Sequence, residues 1–111
     1  MALEVTQQTD NGISRITLVG ELDAASAQAF RSAIEEAAAL KPRRLALLVD
    51  RLEYMASAGL RVLVFAKQKL GAATELVVVG AQPQVLETLE MTGFTDSVVL
   101  MGVGDAAGLD A

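Results

Sequence analysis

The chain has 111 residues, 52% of them hydrophobic but with only three Phe, one Tyr and no Trp, and carries nine basic against fourteen acidic groups, a formal charge of −5. That length fits one domain over residues 1–111, with an aliphatic core and no room for a second one. Cysteine and histidine are absent, which excludes disulfides, thiolate metal sites and the commonest metal ligand, and fits a reducing cytosol.

The N-terminal residues Met1-Ala2-Leu3-Glu4-Val5-Thr6 lack the basic-then-apolar order of a signal peptide. Leu3, Val5 and Gln7 alternate with Glu4, Thr6 and Gln8, which predicts a first strand. Asp10-Asn11-Gly12 is a hairpin turn, and Ile13, Ile16, Leu18 and Gly20-Glu21-Leu22 continue as a second, antiparallel strand. Asp23 ends that strand and is the expected cap of a helix over 24–40, where Phe30, Ala33, Ile34, Ala37 and Ala38 share a face while Arg31, Glu35 and Glu36 point outward.

Lys41-Pro42-Arg43-Arg44 follows that helix. Its cations read first as complements of the helix C-terminus, with a phosphate-binding patch as the alternative. The net negative charge opposes nucleic acid as a partner. Residues 44–50 predict a buried strand, and Ser57 opens a second helix that stops at Gly71. Glu75-Leu76-Val77-Val78-Val79 is the next buried strand, Pro83 begins a third helix that ends at Gly93, and 97–101 is a short last strand. Residues 104–111 suggest at most a frayed helix. The longest apolar runs, 45–49 and 62–66, are far shorter than the roughly 20 residues of a membrane span. The expectation is a cytoplasmic α/β domain with no membrane partner, a mostly parallel mixed sheet, an N-terminal β-hairpin and three to four helices.

Chemistry is sparse. A Ser-His-acid triad and a Cys-His pair both need absent residues, and neither glycine-rich nucleotide motif occurs. Paired carboxylates such as Glu35-Glu36 fall on a solvated helix face. No enzymatic activity, cofactor or metal is expected. The conspicuous segment is Tyr54-Met55-Ala56-Ser57-Ala58-Gly59-Leu60-Arg61, between a buried strand and a helix, where α/β sheets concentrate function. Ser57 is placed at the helix N-cap, followed by two small residues. Read alone, it is only a cap. Asp23 ends another strand of the same sheet and is expected near it on one edge.

Gly20-x-Leu22-Asp23, Phe30, the 54–60 segment, Gly80 after a Val-rich strand and Leu89-Glu90-Met91-Thr92-Gly93-Phe94 together resemble the STAS-domain family of anti-sigma-factor antagonists, over nearly the whole chain. The resemblance implies partner switching. The unmodified domain binds an anti-sigma factor that is also a GHKL-type serine kinase. The kinase phosphorylates a serine at the start of the second helix, which breaks the complex, and a metal-dependent PP2C-type phosphatase restores it. By residue match the phosphoacceptor is Ser57, and Asp23 is the family's acid at the adjacent strand end.

Two positions depart from the family pattern. Ala56 stands where an acid often precedes the serine, and Leu48 stands where an Asp is frequent, with Asp50 two residues later. The binding face is expected around Asp23, Ala56, Ser57, Ala58 and Gly59, continuing along an outward stripe of Arg61, Phe65, Gln68 and Lys69, with Phe65 either an anchor or a core aromatic. Other readings are a module that senses a nucleotide or small ligand, a subunit of a signalling scaffold, or an accessory domain of a longer catalytic or transport protein. Saturable nucleotide binding would mark the sensor, and a large oligomer the scaffold.

Overall fold

Asn11 and Gly12 set the first step of the fold. Both take positive φ, 53° and 77°, the left-handed pair that a two-residue type I′ turn requires. The hairpin they close pairs β1 (Glu4–Asp10) antiparallel with β2 (Ile13–Leu22). The computed structural model describes residues 3–104. After the hairpin come α1 (Ala27–Ala39), β3 (Arg44–Met55), α2 (Ser57–Leu70), β4 (Glu75–Val79), α3 (Pro83–Met91), a 3-10 turn (Phe94–Ser97) and β5 (Val99–Met101). The sheet order is β1-β2-β3-β4-β5, and every neighbour pair after the hairpin is parallel. This is the expected mixed α/β sheet, with the hairpin strand at one edge. The element suggested for 104–111 lies, from residue 105 on, outside the described residues.

The three helices pack on one face. Ile16 and Leu18 of β2, Leu45 and Leu47 of β3, and Leu76 and Val78 of β4 meet Phe30 and Ile34 of α1, Leu63 and Ala66 of α2, and Val85 and Leu89 of α3. The core is aliphatic apart from Phe30 and the edge-lying Phe94. A smaller apolar cluster of Ala46, Val77 and Val79, flanked by Leu48 and Met101, lies on the other face. No helix among the described residues is long and apolar enough to cross a membrane.

Three boundaries differ from expectation. β3 does not stop at Asp50 but runs on to Met55. The charged Asp50, Arg51 and Glu53 interrupt the apolar run, yet all three are exposed, so the strand continues at no desolvation cost. Between Thr17↔Leu48 and Val19↔Arg51, and again between Gly20↔Leu52 and Glu21↔Tyr54, β3 spends one residue more than β2. Such bulges bend a strand and re-aim its end.

β4 pairs with β3 only as far as Leu48↔Val79. Beyond that point, polar side chains at the start of α3 take over part of the ladder. Gln82 Nε2 donates to the Asp50 carbonyl at 2.8 Å, and the Met55 N–H donates to Gln84 Oε1 at 3.1 Å. The second difference is that α1 becomes regular only at Ala27, three residues late. The third is that β5 begins at Val99, because Gly93 (φ 74°) turns 94–97 into a 3-10 helix first.

Candidate functional site

β2 and β3 end level with each other, with Leu22 and Met55 as Cα partners in the parallel register. The residues that follow are Asp23 and Ala56, and the Ala56 N–H donates to the Leu22 carbonyl at 2.8 Å. The two segments that the sequence singles out therefore share one rim, at the carboxyl ends of adjacent strands.

Asp23 makes a reciprocal cap of the turn that leads into α1. Its Oδ1 accepts from the Ser26 N–H at 3.0 Å and from Ser26 Oγ at 2.9 Å, while its own N–H donates to Ser26 Oγ at 3.0 Å. The Ala27 N–H donates to the Asp23 carbonyl at 2.9 Å, already an α-type bond. Asp23 thus caps as expected, but it caps a lead-in turn rather than the first residue of the regular helix. The Ser26 hydroxyl bond, then the Ser26 backbone bond, hold its carboxyl below the usual carboxylate range.

Ser57 is not the N-cap. That position belongs to Ala56, in extended conformation (φ −81°, ψ 168°), and Ser57 is the first helical residue of α2. No side chain caps this helix, so its leading amides keep their positive end for whatever anion comes there. Ser57 is exposed, and its hydroxyl has no described hydrogen bond to lose. Whether Ala or Ser stands at the N-cap cannot be read from composition here, because the longer β3 leaves only a single residue between strand and helix.

Gly59, expected at the binding face, is buried. A Cβ built on it would meet Leu22 Cδ2 at 2.5 Å, Leu22 Cγ at 2.7 Å and Met55 Cγ at 3.1 Å. It lets the start of α2 sit directly on the two strand ends and presents no surface. Ala58 faces sideways into a groove between α1 and α2, about 250 Å³ in volume, which it lines with Ala24, Ala27, Gln28, Arg31 and Arg61.

The outward stripe of α2 holds at three of its four expected positions. Arg61, Gln68 and Lys69 are exposed, but Phe65 is half-buried against the core. The Arg31 guanidinium covers its ring at 4.0 Å from the centroid, a cation–π stack. The apolar residue that does face outward is Val64, 42% exposed. It stands seven residues after Ser57, so Ser57, Arg61, Val64 and Gln68 follow the i, i+4, i+7, i+11 line of one face. Counting from the serine rather than from the aromatic would have found it.

Chemically the rim offers a solvent-facing hydroxyl at an uncapped helix start. No cluster of three or more potential metal ligands exists among the described residues.

The STAS domain family model matches residues 4–106. The chain belongs to the STAS domain family. It is 31% identical over 78 residues to the anti-sigma-F factor antagonist RsfB of Mycobacterium tuberculosis, a match covering 70% of this chain and 64% of RsfB. The chain thus spans a little under two-thirds of that relative. The crystal structure of an anti-sigma factor antagonist from Mycobacterium paratuberculosis superposes with a TM-score of 0.87 at 27% identity, covering 96% of this chain and 92% of that one. The phosphorylated form of the Bacillus cell fate determinant SpoIIAA shares the fold, with a TM-score of 0.72 at 19% identity over 96% of this chain and 97% of the other.

Within this STAS domain the Leu48 departure has a packing reason. Its side chain joins the Ala46, Val77 and Val79 cluster on the sheet face opposite the helices.

Proposed function

We propose that this STAS domain is a cytoplasmic anti-sigma-factor antagonist whose affinity for its partner is set by phosphorylation of Ser57. The observation that carries the reading is Ser57 itself: an exposed hydroxyl on the first residue of α2, beside Asp23 at the joined strand ends, in a chain similar to named antagonists. The unmodified rim binds an anti-sigma factor that is also a GHKL-type serine kinase, and in doing so releases the sigma factor. In the transfer step the Ser57 Oγ–P bond forms as the β,γ-bridging P–O bond of ATP breaks. ADP leaves, and the hydroxyl proton passes to a general base supplied by the kinase. A PP2C-type phosphatase hydrolyses the phosphoserine and resets the domain.

No internal rearrangement is needed. Phosphate adds about −1.5 to −2 charges at a helix start that tolerates anions. The fold keeps its packing, and the partner surface meets a new charge it did not meet before.

The direct test is Ser57→Ala. Because Ser57 caps nothing, the variant is expected to unfold within about 0.5 kcal/mol of the native chain, as surface substitutions do. It should bind the purified kinase with native affinity and stay bound when ATP is added. Phosphate incorporation equal to that of the native chain would assign the acceptor elsewhere. A second variant tests the interface. Val64→Asp puts a charge on the outward stripe without touching the core, and calorimetric titration against the kinase should show a loss of about tenfold or more at unchanged thermal midpoint.

A further inference from the structure

Arg61 stands one helical turn after Ser57, and among the described residues its guanidinium has no ion-pair or hydrogen-bond partner. Residues four apart on an α-helix share a face. Long helical side chains lean toward the N-terminus and cover the turn before their own Cα. The turn that Arg61 covers is the one carrying Ser57. Beside it runs the groove between α1 and α2, where Ala24, Ala27 and Ala58 leave about 250 Å³ open. A water takes about 30 Å³, so a phosphate and several waters fit.

The local charge points the same way. Ala56 precedes the serine, so no carboxylate flanks it in sequence. The Asp23 carboxylate stays ionised, but it is held toward Ser26 by that residue's N–H and hydroxyl. Arg31 also lines the groove, deeper along it. It is stacked on Phe65, eight residues after Ser57 and so about 12 Å along the axis at 1.5 Å per residue. From there it adds positive potential without reaching the hydroxyl.

We propose that the mouth of this groove is an anion site for a phosphomonoester on the chain's own Ser57, with Arg61 as the clamp, an inference that rests on Ser57 being the phosphoacceptor. The planar guanidinium fork donates two parallel hydrogen bonds to phosphate oxygens. The clamp holds the group as a dianion at neutral pH, so that the modified domain carries the full charge. It also withdraws a cation from the partner surface in the same event: one group is added and another is masked.

The clamp itself is tested without kinase or partner. Phosphoserine is installed at position 57 by genetic encoding, in the native background and with Arg61→Gln or Arg61→Lys. The phosphate is then titrated by phosphorus NMR. The charged groups on the surrounding elements are Glu21 on β2, Asp23 on the lead-in turn, Arg31 on α1 and Glu53 on β3. They are common to all three proteins, so differences report residue 61. The second ionisation, near 6 in a free phosphoserine, is expected about 0.2–0.4 pH unit lower in the native background than in Arg61→Gln. Arg61→Lys should fall between, keeping charge without the fork. The Arg61 Nε–H resonance should move on phosphorylation while that of Arg31 stays. Equal midpoints in all three proteins, with an unmoved Arg61 resonance, would overturn the clamp. Undiminished binding of the phosphorylated chain to the kinase would instead overturn the switch, and the titration would still decide the clamp.

Discussion

Phosphate on Ser57 is expected to weaken binding to the anti-sigma kinase several-hundred-fold while leaving the domain folded. The two halves of that expectation have separate causes. The domain tolerates the anion because Ser57 is the exposed first residue of α2, a helix start with no side-chain cap. A negative group there gains roughly 0.3–1 kcal/mol from the helix dipole. The complex is expected not to tolerate it, because a charge buried without a matched partner costs several kcal/mol, and a loss of 3–4 kcal/mol corresponds to roughly 150–850-fold in affinity.

Ser57→Asp should reproduce the sign and only part of the size, since a carboxylate carries one charge and reaches less far than a phosphate. The measurement is titration of purified kinase against the native chain, Ser57→Asp and enzymatically phosphorylated protein, each checked for an unchanged or slightly raised thermal midpoint. Equal affinity across the three would remove the switch and leave Ser57 as an ordinary surface serine.

The fold was legible because its signals are local and redundant. Asn11-Gly12 names its own turn, the apolar spacing from Phe30 to Ala37 names the buried face of α1, and Pro83 and Gly71 mark helix ends. What the sequence hid were features set by tertiary partners. β3 continues past Asp50 because β2 still pairs with it and two glutamines at the start of α3, Gln82 at its N-cap and Gln84 in its first turn, take its carbonyl and N–H on the other side. Nothing in residues 50–55 announces that.

The rim that carries the candidate site was legible in the same measure. Asp23 and Ser57 belong to one rim because parallel strands end together, which the element order implies. The roles within the rim were not legible. Extending β3 to Met55 leaves Ala56 rather than Ser57 as the N-cap, and on α2 it is Val64 rather than Phe65 that faces outward. Phe65, four residues after an exposed arginine, reads as either an anchor or a core aromatic until it is found packed on the core with Arg31 of the neighbouring helix lying over it.

Gly59 is the position where a minimal change should damage the domain most. Gly59→Ala adds one methyl group, and on an exposed helix it would stabilise by up to about 1 kcal/mol through propensity. Here that methyl would stand 2.7 Å from Leu22 Cγ and 2.5 Å from Leu22 Cδ2, both closer than carbon atoms pack. Leu22 is fully buried and cannot swing into solvent, and Met55 Cγ at 3.1 Å closes the other side. Either Leu22 leaves its rotamer or the first turn of α2 lifts off the strand ends. Overpacking of this kind typically costs 1–3 kcal/mol, which outweighs the propensity gain. The expected net loss is about 1–2 kcal/mol by chemical denaturation, with a thermal midpoint lower by roughly 4–8 °C per kcal/mol. Because the lifted turn carries Ser57, kinase affinity should fall as well, although Gly59 itself is buried under that turn. Pairing Gly59→Ala with Leu22→Ala separates packing from surface contact: the smaller residue at 22 makes room for the new methyl, so the double variant should lose less than the sum of the two singles. Gly59→Ala that is as stable as the native chain yet binds the kinase poorly would mean that Gly59 contacts the partner directly and that its burial against Leu22 is not what selects it.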